Sequence, residues 1–365
     1  MADGDPAATI RTDLDALPPN VAALFDGAAA DSFFLSLPWF RALVDHGFDR
    51  GGQIRLYLGE TAQGRAGLCA WSRSNHAAWQ PRKLKSLTNF YSCGFAPLTE
   101  APPSAAAIDR LVESVVSDRP RWDVVNLDSL DRAGPCFTLL TEAFSRRGWP
   151  VQSYFHFGNW FEDTAGLSAA DYLAARPGNL RSTLKRQAAK LAKSSPTYRI
   201  FTGADVETAI ALYEAVYARS WKQPEPFPAF AAALIRTCAA LGCLRLGVLT
   251  IDGAPAAAQV WIVWRGKATI FKLAHDESFT AQSPGSLLTR HMMTHVLDEG
   301  AIREVDFGRG DDGYKQLWLP KRRERWGILA CNPTTLRGRL AALRHLGGAA
   351  ARQTLARMRE RRGAP

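Results

Sequence analysis

A chain of 365 residues is longer than one hydrophobic core usually supports, so two domains are the starting expectation. Apolar residues make up 47% and aromatic residues 10%, which excludes a disordered chain. The net charge of +10 is local: residues 321–365 hold twelve Lys or Arg against Glu324 and Glu360, which leaves residues 1–320 neutral and argues against a nucleic-acid surface on the folded body.

The first 18 residues carry Asp3, Asp5, Asp13 and Asp15 and no apolar run, which does not read as a secretory signal. The longest apolar stretch, residues 254–264, is interrupted by Gln259 and is too short for a bilayer. The cysteines (Cys69, Cys93, Cys136, Cys238, Cys243, Cys331) show no C-x-x-C pair, so neither a metal knuckle nor a disulfide framework is expected and a cytoplasmic location is.

In chain order, residues 38–46 read as a helix, 53–59, 66–73 and 83–89 as strands, 104–117 as a helix, 122–127 as a strand, 136–147 as a helix and 151–160 as a strand. Residues 179–193 form a basic helix with Arg181, Lys185, Arg186, Lys190 and Lys193 around Leu180, Leu184, Ala188 and Leu191. Two helices over 205–219 and 227–241 precede strands at 244–251, 256–264 and 268–275, the first pair joined by an Asp252-Gly253 turn. Ser283-Pro284 then reads as a cap followed by proline at the first helical position; the helix runs to Glu299, and a strand follows at 303–307. Both halves therefore follow one order: helix, antiparallel meander, helix, strand. No residue-level repeat accompanies it. The tail ends in a basic amphipathic helix with Leu336, Leu340 and Leu343 on one side.

The helix opening at Ser283-Pro284-Gly285-Ser286 offers unpaired amides and a positive dipole end, a natural seat for a pyrophosphate, although an ordinary capped helix has the same sequence. At the matching point of the first half, Pro97, Pro102 and Pro103 lack donors and Glu100 repels phosphate, so no cofactor is expected there. Gly308-Arg309-Gly310-Asp311-Asp312-Gly313 fits G-x-G-x-x-G, but Asp311 and Asp312 repel a pyrophosphate and Pro320 leaves little room for a helix, so a dinucleotide fold is rejected. His291 and His295 lie one turn apart without the glutamate of a zinc-protease helix, and no metal is expected.

Asn179-Leu180-Arg181, Ser220-Trp221-Lys222, Asp252-Gly253 with Pro255-Ala256-Ala257-Ala258, His275-Asp276 before Ser283-Pro284-Gly285, and Asp306-Phe307-Gly308 with Tyr314-Lys315 and Trp318 together resemble the CelD/BcsL-like GNAT acetyltransferases, a family related to the FemAB-type peptidyltransferases. The resemblance implies an α+β fold of two tandem GNAT-like units, each a mostly antiparallel twisted sheet flanked by helices. The expected boundaries are 1–160 (degenerate), 161–330 (acyl-CoA site) and a basic tail at 331–365. It further implies acetyl-CoA or another acyl-CoA as co-substrate, with a small-molecule or glycan amine as acceptor. An amino sugar of exopolysaccharide or cell-envelope synthesis leads. Ser283, Gly285, Ser286, Leu287 and Lys272 are the expected cofactor contacts, and Trp221, Lys222, Arg181 and Trp318 the expected acceptor contacts. The usual Arg/Gln-x-x-Gly-x-Gly/Ala phosphate signature is absent, replaced by the shorter Ser283-Pro284-Gly285 turn.

For direct attack of an amine on a thioester, Asp306 is the first candidate base, Asp276 the second, Tyr314 the acid for the departing thiolate, and Lys315 a holder of phosphate or an acidic acceptor group. Plain structural roles fit equally: Asp306 as a loop cap, Tyr314 and Trp318 as packing. The rival readings are a FemAB-like transferase using aminoacyl-tRNA and a non-catalytic GNAT scaffold. The tail is expected to touch an anionic membrane, at the inner-membrane periphery, or an acidic regulator. No specific nucleic-acid partner is expected.

Overall fold

The computed structural model describes residues 10–49, 51–74, 77 and 79–347. The chain forms two compact units. The first takes the described residues up to Val44, Phe48–Phe157, and those from Glu324 onward; the second takes Asp45–Gly47 and Gly158–Arg323. The unit boundaries fall inside two strands, β7 (Val151–Asp163) and β13 (Lys321–Cys331). The sequence pattern gives no strand at β13, because its opening Lys-Arg-Arg-Glu-Arg reads as a solvated charge run.

Unit 1 contains β1 (Ile10–Arg11), β2 (Gly52–Thr61), β3 (Gly64–Arg73), β4 (Lys83–Ser86), β5 (Leu98–Thr99) and β6 (Val124–Asp131), with parts of β7 and β13. β2, β3 and β4 pair antiparallel, and β6 then lies parallel to β4, with Lys83 opposite Val124. The helix Ala105–Ser117 connects across, burying Ile108, Leu111, Val112 and Val115. It begins at Ser104, whose hydroxyl accepts from the Ala107 amide at 3.3 Å.

Unit 2 repeats that plan with β8 (Pro196–Phe201), β9 (Leu244–Ile251), β10 (Ala254–Trp264), β11 (Lys267–His275) and β12 (Glu304–Asp306). β8 to β11 are antiparallel neighbours, and Asp252 and Gly253, both at positive φ, close the β9–β10 hairpin as expected. The helix Pro284–Asp298 then leads to β12, which pairs parallel with β11. β10 is buried from Ala256 to Ile262 because both of its faces are covered. Leu287, Leu288, Met292 and Met293 of that helix join Leu249, Ala257, Trp261 and Ile270 in one core. The helices Val206–Ala218 and Pro228–Ala240 bury Ala209, Tyr213, Val216, Phe230 and Leu234.

Two residues set the helix Pro284–Asp298 against the sheet. Gln259, buried in β10, donates to the Gly285 carbonyl at 3.0 Å and to Thr289 Oγ1 at 2.8 Å and accepts from Trp261 at 2.9 Å, so its amide is satisfied while it fixes the first helical turn. Opposite it on β9 is Gly247, where an added Cβ would meet Met292 Sδ at 2.3 Å and Leu288 Cδ1 at 3.2 Å. Gly247→Val should therefore cost about 1–3 kcal/mol of unfolding free energy by overpacking, measured by urea denaturation; an unchanged midpoint would mean that this helix is not held that close.

Candidate active site

The geometry of unit 2 converges where β11 ends, where the helix Pro284–Asp298 begins and where the helix Val206–Ala218 gives way to a loop. β12 pairs with β11 only over Lys267–Thr269, and β11 runs on to His275. At the helix start Ser283 adopts a left-handed backbone (φ 52°), and its hydroxyl makes no cap hydrogen bond, contrary to the serine cap expected. Such a backbone costs a non-glycine residue roughly 1 kcal/mol. The Leu287 amide bonds back to the Ser283 carbonyl at 3.2 Å, and its side chain lies in the core, so Leu287 is not available to a ligand. Pro284 has no N–H. The amides of Gly285 and Ser286 have no acceptor among the described residues.

His275 flanks this opening: a Cβ on Gly285 would lie 3.6 Å from its Nδ1. Its ring packs against Trp221, with centroids 4.5 Å apart, and its Nε2 is 3.4 Å from Thr280 Oγ1. Burial lowers the imidazole pKa below its ordinary value, against the pull of Glu277 and Asp276, so the ring is neutral at pH 7. The sequence motif that contains His275 assigns it no role. Its signal is its place, the last residue of a strand eight positions ahead of Ser283, with a short 3-10 helix between.

Asp276 is spent elsewhere. Its carboxylate accepts from the Ser278 amide (2.9 Å) and hydroxyl (2.7 Å) and from Arg219 Nε (2.6 Å). Burial alone would raise its pKa, but these donors hold it below the ordinary carboxylate value, which makes it a poor base. The Arg219 bond fixes the segment that places Trp221 on His275.

Asp306 also has a different part from the base expected of it. It is buried, accepting from the Gly308 amide at 2.5 Å and Asn159 Nδ2 at 2.6 Å, and pairs with Arg323. Arg323 also reaches Glu304 at 2.8 Å and Asn159 Oδ1 at 2.5 Å. Burial would lower the pKa of Arg323, yet Asp306 and Glu304 hold it above the ordinary guanidinium value. The carboxylate is thus the loop cap of the second reading, locked by an ion pair.

The segment after β12 is likewise pinned. Asp311 accepts from Trp160 at 2.8 Å and pairs with Arg322 at 2.7 Å. Lys315 is buried and donates to the carbonyls of Arg309 (2.9 Å) and Gly310 (3.3 Å), with Asp312 at 3.1 Å; it holds the loop together. Trp318, expected on the acceptor side, is 3% exposed in the core, and its carbonyl accepts from Tyr172 at 2.7 Å. Tyr314 is 44% exposed against Phe307, and burial of its hydroxyl, reinforced by Asp312, keeps the phenol protonated far above neutrality.

A second group lies on the loop after Val206–Ala218. Lys272 pairs with Glu225, and Lys222 sits 5.8 Å from the Trp221 ring centroid and 6.0 Å from that of Tyr217. Burial first, then the charges of Lys272 and Lys315, lower Lys222 to about 8 against the pull of Glu225 and Asp312. Arg181 is exposed on the helix Gly178–Leu191. His291 stacks on Tyr198 at 4.6 Å, and His295 Nε2 lies 2.9 Å from Glu299.

Asp306→Asn leaves Arg323 facing Glu304 alone. Breaking a buried pair costs about 3–5 kcal/mol, and the lower end applies here because one carboxylate stays. The expected result is a loss of roughly 3 kcal/mol in chemical denaturation. A variant as stable as the parent but catalytically dead would restore Asp306 as the base.

A family model described as "Acetyltransferase (GNAT) domain" matches residues 178–316. No curated protein matches the chain in sequence. Among solved structures, FemX is similar at 10% identity and a TM-score of 0.61, covering 90% of this chain and 98% of that one. The C-terminal domain of a protein described as a lysylphosphatidylglycerol synthetase of Agrobacterium fabrum is similar at 13% identity and a TM-score of 0.53, covering 88% and 94%. A tandem GNAT protein from the clavulanic acid biosynthesis pathway follows at 12% identity and 0.52, covering 90% and 100%. At these identities the likeness is one of fold. The segment holding His275, the open amides of Gly285 and Ser286, and Lys222 is thus the one that matches the GNAT acetyltransferase domain.

Proposed function

We propose that unit 2 transfers an acyl group from acyl-CoA to an amine. The observation that supports this most is the helix start at Ser283, whose two open amides meet the positive dipole end of a 15-residue helix directly beside a neutral histidine. Gly285 and Ser286 receive the pyrophosphate. Ser104 of unit 1 spends its hydroxyl on capping the equivalent helix, so that position offers less to an anion.

His275 takes the proton of the attacking amine, because Asp276 and Asp306 are both committed to other donors. The amine nitrogen bonds to the thioester carbonyl carbon, the C–S bond breaks, and the departing thiolate of CoA is protonated by the imidazolium that His275 has become, since the Tyr314 phenol is held protonated too far above neutrality to serve. Trp221 and Lys222 border the acceptor, and a lysine that stays partly charged near pH 8 favours an acceptor bearing an anionic group. An amino sugar of envelope or exopolysaccharide synthesis is the acceptor proposed, on the strength of the sequence resemblance.

Calorimetry with acetyl-CoA should give saturable heat; an aminoacyl-tRNA-dependent enzyme or a non-catalytic scaffold would give none. Ser286→Asp should keep its melting temperature, since an acid in the first turn suits the dipole, yet bind acetyl-CoA at least ~10-fold more weakly. His275→Gln should lower kcat by ~10²-fold with little change in the KM for acetyl-CoA. In the parent, kcat/KM should fall only as pH drops below about 6.5, where the lowered imidazole gains its proton, and the variant should lose that acid limb. Parent-like turnover in His275→Gln would remove the base assignment.

A further inference from the structure

Unit 1 has a cavity of about 700 Å³ between β3, β4 and the C-terminal helix Leu336–Ala342, which continues as a π-helical turn, Leu343–Gly347. Among the described residues its lining carries Arg73, Arg82, Lys83, Lys85, Arg337 and Arg344 and neither Asp nor Glu. Arg73 is paired with Asp49 at 3.0 Å, outside the cavity lining. Arg82 lies 5.6 Å from the centroid of Trp122, and its Nε is buried with no hydrogen-bond partner among the described residues. A buried guanidinium donor left unsatisfied carries a desolvation cost that an incoming anion would relieve. His345, also in the lining, is held below its ordinary pKa by burial first and then by Lys83 and Arg344.

Beside these charges the surface is apolar. Trp79 is 78% exposed, and Leu336, Leu340 and Leu343, spaced four and three apart, are 73%, 56% and 71% exposed. Trp79 and Leu340 both line the cavity, so the apolar ridge and the basic pocket are one surface. An unattached phosphate or an RNA would meet the cations and leave Trp79 and three leucines in water. Residues 348–365, which hold Arg352, Arg357, Arg359, Arg361 and Arg362 against Glu360, lie outside the described residues.

We propose that this face docks on an anionic phospholipid bilayer. Headgroup phosphates occupy the pocket against Arg82, Lys83, Arg337 and Arg344, while Trp79 and the three leucines lie at the boundary between headgroups and acyl chains. No helix among the described residues is long and apolar enough to cross a membrane.

The full-length protein should co-sediment with vesicles of equimolar phosphatidylglycerol and phosphatidylcholine and stay in solution with phosphatidylcholine alone. Two variants divide the contributions. Arg337→Glu with Arg344→Glu should weaken vesicle binding at least ~10-fold, as each surface charge near an anionic leaflet counts for close to a factor of five. Leu336→Asn with Leu340→Asn and Leu343→Asn, on exposed positions that leave the fold intact by circular dichroism, should weaken it comparably while leaving any binding of a duplex RNA untouched. Equal sedimentation with neutral vesicles, parent-like binding by either variant, or binding of RNA in place of vesicles would overturn the proposal.

Discussion

The candidate site depends on one local backbone state: Ser283 in the left-handed region. A serine in the usual extended cap geometry would give its hydroxyl to the first turn, as Ser104 does in unit 1. At φ 52° it gives nothing, and the amides of Gly285 and Ser286 remain open. The same turn brings Gly285 beside His275. Gln259 holds the arrangement from below by grasping the Gly285 carbonyl. Strain of this size persists only where packing over-determines it, and the core of Leu287, Leu288, Met292 and Met293 supplies that packing.

The division of labour among the titratable groups follows from what each touches. Asp276 and Asp306 are both carboxylates in promising places, yet each is a ligand of an arginine and of backbone or side-chain donors. These donors hold the Asp276 carboxyl below its ordinary value and make it a weak base. His275 and Lys222, by contrast, are pushed toward neutrality by burial. Acid–base chemistry near pH 7 needs groups of the second kind.

Charge is distributed by the same logic. The run that opens β13 is neutralised residue by residue, Lys321 by Asp163, Arg322 by Asp311, Arg323 by Glu304 and Asp306, and Arg325 by Asp131. The excess that remains lies further along the chain, and the part of it on the helix Leu336–Ala342 and the turn after it borders a pocket with no acid in its described lining. One stretch of like composition is thus paired at its start, while its later part borders the pocket.

The amino-acid sequence by itself determined the plan: the alternation of β9 to β11, the Asp252-Gly253 hairpin, the proline-started helix at 284 and the duplicated order are local patterns, and local patterns are written in neighbouring residues. Through its short motifs it also indicated a GNAT-like segment, which the match over residues 178–316 supports. Tertiary structure alone decided which of these residues are free to act. The loop-holding bonds of Lys315 are local, to carbonyls five and six residues back, but the cap role of Asp306 and the packing of Trp318 depend on Asn159 and Tyr172, 147 and 146 residues away. β13 was illegible for the same reason, because a charge run becomes a strand only when distant carboxylates come to meet it. Partner identity is a property of the folded chain, and no window of sequence contains it.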